Sequence, residues 1–214
     1  MQTKTFSTTV GGKELVAEFT DLADQANGSV ILRYGNTAVL ATAVMSHRTR
    51  DDIDYFPLSV DYEERFYAVG KILGSRFMRR EGKSSEEAVL SGRVIDRTIR
   101  PLFNQQMRRD VQVVVTILSL DEEEDLDFLA LLSASTALSI SDIPWAGPVA
   151  GVKIVRKDGA LLINPKNSAV GATFDYQLFV SGPKDRINMI EAEGMEASIS
   201  GIEFYEEVQT QIRG

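Results

Sequence analysis

The chain has no cysteine, a single histidine and a single tryptophan among 214 residues. Without thiols, a disulfide framework, a thiolate metal site and a cysteine nucleophile are all excluded, which fits a cytoplasmic protein. Any histidine-based triad would have to rest on His47, beside Arg48 and Arg50 just past a strand pattern, and we assign it none. No apolar run approaches the ~18 residues that span a bilayer. The opening Met1-Gln2-Thr3-Lys4 lacks an apolar signal region, so no membrane association is expected. Walker loops, dinucleotide fingerprints and zinc spacings are missing, as are linkers, low-complexity tracts and internal repeats.

What is present is ordinary for a globular protein that buries a real core: 43% hydrophobic and 25% charged residues, with a mean hydropathy of −0.09. A formal charge of −8 argues against nonspecific nucleic-acid binding over the whole surface. Arg76 to Arg109 is the exception. It carries nine basic residues against four acidic ones, a local +5, so the rest of the chain sums to −13. A positive patch on an acidic chain points to a polyanion.

Alternation around Gly11-Gly12 predicts a hairpin of Thr5–Val10 with Glu14–Phe19, and Gly35-Asn36 joins a second, Ser29–Tyr34 with Thr37–Met45. The last member is almost continuously apolar and small, as expected of a central strand buried on both faces. Tyr55–Tyr62 reads as a strand that Pro57 pushes to an edge, and Gly70 to Gly82 as a loop. Ser84-Ser85-Glu86-Glu87 caps a helix that runs to about Ile99 and stops before Pro101. Val111–Leu118 is a strand, and Asp125 to about Ser141 a helix. Lys157-Asp158-Gly159 turns a hairpin, Tyr176–Ser181 pairs with Arg186–Ala192, and Gly201–Ile212 is a closing helix. This order predicts one α+β domain with a mixed sheet and helices packed on it.

Arg93, Arg97 and Arg100 recur at i, i+4 and i+7, so one helical face carries all three, with Val94, Ile95 and Ile99 opposite. Like charges so placed repel by a few tenths of a kcal/mol per pair. Phosphate suits their forked donors; salt bridges to the acid-rich remainder are the competing explanation. Phe77-Met78-Arg79-Arg80 could stack on bases and hold phosphates, or plug Phe77 and Met78 into the core. Asp121 to Asp125 fits a solvated turn better than a cation site. Ser133 and Ser135 are expected to pack structurally. Glu191, Glu193 and Glu196 could offer Mg²⁺ oxygens, but no metal site is assigned.

Several long strings sit in one order: Gln25-Ala26-Asn27-Gly28, the run from Arg33-Tyr34-Gly35-Asn36 to Thr42, Asp61-Tyr62-Glu63-Glu64-Arg65 to Ile72, and Ile95-Asp96-Arg97-Thr98-Ile99-Arg100-Pro101-Leu102-Phe103. On these the chain resembles the first RNase PH-like domain of the bacterial polynucleotide phosphorylase family, over essentially all 214 residues. The resemblance implies an RNase PH-like domain across residues 1–214, cut from a longer multidomain protein. It implies processive 3′-to-5′ degradation of single-stranded RNA by inorganic phosphate, with nucleoside diphosphates released and Mg²⁺ as cofactor. It further implies a homotrimeric ring with RNA in a central channel, in contact with the RNA-degradation machinery. The family's constriction loop maps onto Phe77, Met78, Arg79 and Arg80, with Met78 in place of a second aromatic and Arg76 where glycine is common. Arg93, Arg97 and Arg100 would line the route or stabilise the ring.

The phosphorolytic positions of the family's second such domain fall here near Asp125-Leu126-Asp127, Gly171, Gln177 and Phe179, with Asp175 close by. Glycine, glutamine and phenylalanine supply neither the carboxylates nor the lysine required. No catalytic residue is therefore expected in this chain, and the metal belongs elsewhere in the parent enzyme. A self-sufficient phosphorolytic nuclease and a protein-binding scaffold are the alternatives.

Overall fold

The computed structural model describes residues 3–72 and 84–194. The first hairpin is β1 (Thr3–Val10) and β2 (Lys13–Thr20), turned at Gly11 and Gly12, both with positive φ, which glycine adopts without strain. The second is β3 (Gly28–Tyr34) and β4 (Thr37–Thr49). Then come β5 (Leu58–Glu63), α1 (Glu86–Ile99) and β6 (Arg109–Ser119), which form a β-α-β unit with β5 and β6 parallel. These six strands make one mixed sheet in the order β1-β2-β3-β4-β6-β5.

A second sheet follows. Helix α2 (Leu126–Ser139) leads to β7 (Ala150–Lys157), β8 (Ala160–Ile163), β9 (Tyr176–Gly182) and β10 (Met189–Gly194), antiparallel in the order β10-β9-β7-β8. The mixed sheet expected from the sequence is there, but the later hairpins build a sheet of their own rather than extending it. The helical expectation for Gly201–Ile212 lies outside the described residues.

The helices lie between the sheets. Helix α2 packs on β3 and β4 from one side and β7 from the other, and Phe128, Leu129, Leu131, Ala134, Ala137 and Leu138 are buried around it. A helix apolar on every side belongs in such an interior. Beneath it the facing rows are Val30, Leu32 and Tyr34 of β3, Val39, Ala41, Ala43 and Met45 of β4, and Val111, Val113, Val115 and Ile117 of β6. The reading of β4 as buried on both faces needs correcting: Leu40 and Thr42 are only partly covered and Val44 is exposed. The strand is central, but only alternate residues meet the helices.

The strings singled out in the sequence turn out to be joints. Asn27 accepts the Met45 amide at 2.8 Å and donates to Asp142 at 2.8 Å, tying the start of β3 to β4 and to the end of α2. Thr37 accepts the Asp121 amide at 3.0 Å, and the Tyr34 hydroxyl donates to the Val10 carbonyl at 3.0 Å. Buried Thr98 of α1 meets Ser181 of β9 at 2.7 Å, pinning α1 to the second sheet.

Candidate nucleic-acid interface

Helix α1 begins as its sequence predicts. The Ser85 side chain accepts the Ala88 amide at 2.9 Å, and Glu86 and Glu87 fill the first turn, where carboxylates oppose the positive helix end. Val94, Ile95 and Ile99 are buried, so the opposite stripe faces out. On that stripe Arg93 and Arg97 are exposed, and among the described residues neither guanidinium has a hydrogen bond or an ion pair. Val89 and Leu90 are exposed beside them at 51% and 56%.

Arg100 behaves differently. Its fork grips Asp96, with Nε to Oδ2 at 3.1 Å and the terminal nitrogen to Oδ1 at 2.7 Å. It also donates to the carbonyls of Phe56 at 3.4 Å and Leu58 at 3.1 Å. These four acceptors tie the end of α1 to the strand β5 and its approach. Phe77, Met78, Arg79 and Arg80 lie outside the described residues.

A second region lies where the resemblance places degenerate phosphorolytic positions. A cavity of about 430 Å³ opens between α1, the start of α2 and the second sheet. Asp125 caps α2 by accepting the Phe128 amide at 3.1 Å and pairs with Lys153 at 3.1 Å. Asp127 is largely buried, and that burial raises its carboxyl above the usual carboxylate range. A hydrogen bond from Ser91 and the charge of Lys153 oppose the rise, while Asp125 and Glu191 add to it. Gln177 donates to Glu193 at 2.5 Å, and Phe179 is buried in the wall. Asp175 is exposed and does not line this cavity. The lining carries five carboxylates (Glu87, Asp125, Asp127, Glu191 and Glu193) against one lysine, a field that repels phosphate.

The remaining candidates are occupied. Asp121 accepts from Asn36 and from the Glu123 amide, which together hold its carboxyl below the ordinary range. Glu124 pairs with Lys13, and Glu123 accepts from Ser168 at 2.5 Å. Ser133 donates to the Leu129 carbonyl and Ser135 accepts the Val149 amide. Among the described residues no three carboxylate or histidine groups are placed to hold a metal ion. Periodicity gave no sign of Lys153 as the partner of Asp125, because the pair is 28 positions apart. Periodicity gave no sign of the exposed aromatic Phe66 either, on the turn after β5, although Gly70 just beyond it is a sequence signal for such a turn.

Comparison with known proteins accords with this architecture. The sequence model of the 3′ exoribonuclease family, domain 1 (RNase PH) matches residues 12–144, more than half of the chain. The polyribonucleotide nucleotidyltransferase of Exiguobacterium sibiricum is 52% identical over 198 residues, which is 92% of this chain and 26% of that protein. That of Heliobacterium modesticaldum is 51% identical over 191 residues, 89% of this chain and 27% of that protein. The chain thus spans about a quarter of the length of the curated relatives it matches. Among solved structures, Rrp46 of rice (Oryza sativa) superposes with a TM-score of 0.66 at 13% identity, covering 99% of this chain and 91% of that one. An Archaeoglobus fulgidus exosome with RNA bound to the active site gives 0.61 at 18% identity, covering 99% and 84%. At such identities these two likenesses speak for the fold. With the family model spanning β2, the second hairpin, the β-α-β unit and α2, the chain belongs to the 3′ exoribonuclease family, domain 1, the RNase PH family.

Proposed function

We propose that this chain is the first RNase PH-like domain of a longer polyribonucleotide nucleotidyltransferase and that it guides single-stranded RNA without cutting it. The observation that carries this reading is the pair of exposed guanidiniums at Arg93 and Arg97, without a partner among the described residues, on an otherwise acidic protein. Two such forks one helical turn apart can each take a phosphate in two parallel hydrogen bonds. Arg79 and Arg80 add backbone charge in this account, and Phe77 with Met78 adds stacking. Arg100 contributes indirectly, by fixing the helix that presents the other two.

The parent enzyme would use inorganic phosphate to break the terminal phosphodiester bond of RNA and release a nucleoside diphosphate. The acidic cavity of this chain does not fit that step, and its carboxylates are not grouped to hold Mg²⁺. Phosphate and Mg²⁺ are accordingly assigned to another part of the parent. The same reading takes the 214 residues as one domain, three copies as a homotrimeric ring, the cytoplasm as the compartment, and the RNA-degradation machinery as a partner. RNA binding by the purified chain, measured across salt concentrations, tests the guiding role. Each phosphate contact on a single strand contributes about 0.7 to the slope of log affinity against log salt. Replacing Arg93 and Arg97 by alanine is expected to weaken binding and flatten the slope by about 1.4. An unchanged slope would remove these arginines from the RNA path.

A further inference from the structure

Directly after β5 the chain makes a tight 3₁₀ turn, Phe66–Val69. Its backbone is well fixed. The Ala68 amide donates to the Arg65 carbonyl at 2.9 Å and the Lys71 amide to the Phe66 carbonyl at 3.1 Å, while the Leu120 amide donates to the Ala68 carbonyl at 3.0 Å. Ala68 is buried beneath, and Gly70 closes the turn with φ 68°. So anchored, the turn holds Phe66 43% exposed at the wall of a cavity of about 410 Å³. The floor is apolar, made by Val69, Ile117, Leu120 and Leu126, and Ser84 and Ser85 form the far rim. Glu63 is neutralised by Arg65 at 2.5 Å. Glu64 accepts from Ser85 at 2.7 Å through one oxygen, and among the described residues its other oxygen has no partner.

An aromatic wall, an apolar floor and, at the rim, an acceptor oxygen without a partner among the described residues suit a flat heterocycle that carries an amino group. The surrounding charge says how that heterocycle arrives. Lys71, whose amide is bonded to the Phe66 carbonyl, is exposed beside the turn and offers a cation to a phosphate joined to such a heterocycle. A phosphate held by this cation would carry its base past the cavity mouth.

We infer that this cavity receives one unstacked base of single-stranded RNA, stacked on Phe66 and read at its exocyclic amino group by Glu64. The inference rests on the RNA-binding reading above and adds a second contact point to it. Stacking on an aromatic side chain is largely indifferent to which base is present. The carboxylate supplies the preference, since cytosine, adenine and guanine carry an amino donor and uracil does not.

The test uses the full chain with oligocytidylate carrying one 5-iodocytidine, irradiated and mapped by mass spectrometry. An adduct on Phe66 is expected. Removing the ring by Phe66→Ala should weaken oligocytidylate binding roughly 5- to 150-fold, with the salt slope unchanged because no phosphate contact is lost. Wild-type chain should also bind oligocytidylate more tightly than oligouridylate. RNA bound with adducts only elsewhere, a loss below about twofold in the variant, or equal affinity for the two homopolymers would overturn this inference and leave the guiding role standing. Failure to bind RNA at all would overturn both.

Discussion

The three arginines of α1 look alike in sequence and differ in the fold. Their i, i+4, i+7 spacing places them on one side of the helix, but it is Asp96, four residues before Arg100, that separates them by forming the i,i+4 ion pair. That signal was legible. What sequence did not show is the pair of backbone carbonyls, from Phe56 and Leu58, that complete the grip. Asp127 shows the same limit: its position suggested a lost phosphate loop, while its burial against Ser91 comes from tertiary packing. A carboxyl raised above its ordinary 3.8 binds its proton more tightly folded than unfolded. Its contribution to stability is full below that value and is lost as pH rises through the folded pKa. Asp127→Asn keeps the hydrogen-bonding capacity and removes the titration. Thermal unfolding should show the variant level with wild type at low pH and increasingly more stable as pH climbs past 3.8, with a plateau above the folded pKa. A constant difference across the range would contradict this.

At the scale of elements, hairpins, caps and helix ends were readable because turn and cap chemistry is local. Gly11-Gly12 and Ser85 before α1 each act where sequence placed them, and α2 starts one residue after the expected Asp125, which caps it. The division into two sheets was not readable, because it depends on which distant strands pair. Strand β4 misled for a related reason. Leu40 and Val44 are apolar on the less covered face, which hides the period-2 alternation that one-sided burial would show. Gly28 is the converse, a residue whose identity makes sense only in the assembled fold. A Cβ there would fall inside contact distance of the Ala137 carbonyl oxygen on α2. Gly28→Ala should therefore push α2 off β3 and destabilise by roughly 1–3 kcal/mol or more, as overpacking does. Denaturant unfolding checks it, and a loss under about 0.5 kcal/mol, the size of a typical neutral surface change, would mean that the helix moves freely.

For the whole molecule, the distribution of charge separates two jobs. Basic side chains are concentrated between Arg76 and Arg109, while the cavity between α1, α2 and the second sheet is lined by carboxylates. On the proposed reading the first would attract RNA and the second would repel phosphate, so binding without phosphorolysis is the central expectation. The most direct measurement supplies the purified 214-residue chain with single-stranded RNA, inorganic phosphate and Mg²⁺, and follows RNA binding and nucleoside diphosphate release in the same samples. Bound RNA of unchanged length with no diphosphate is the predicted result. Diphosphate released in proportion to chain concentration would contradict it.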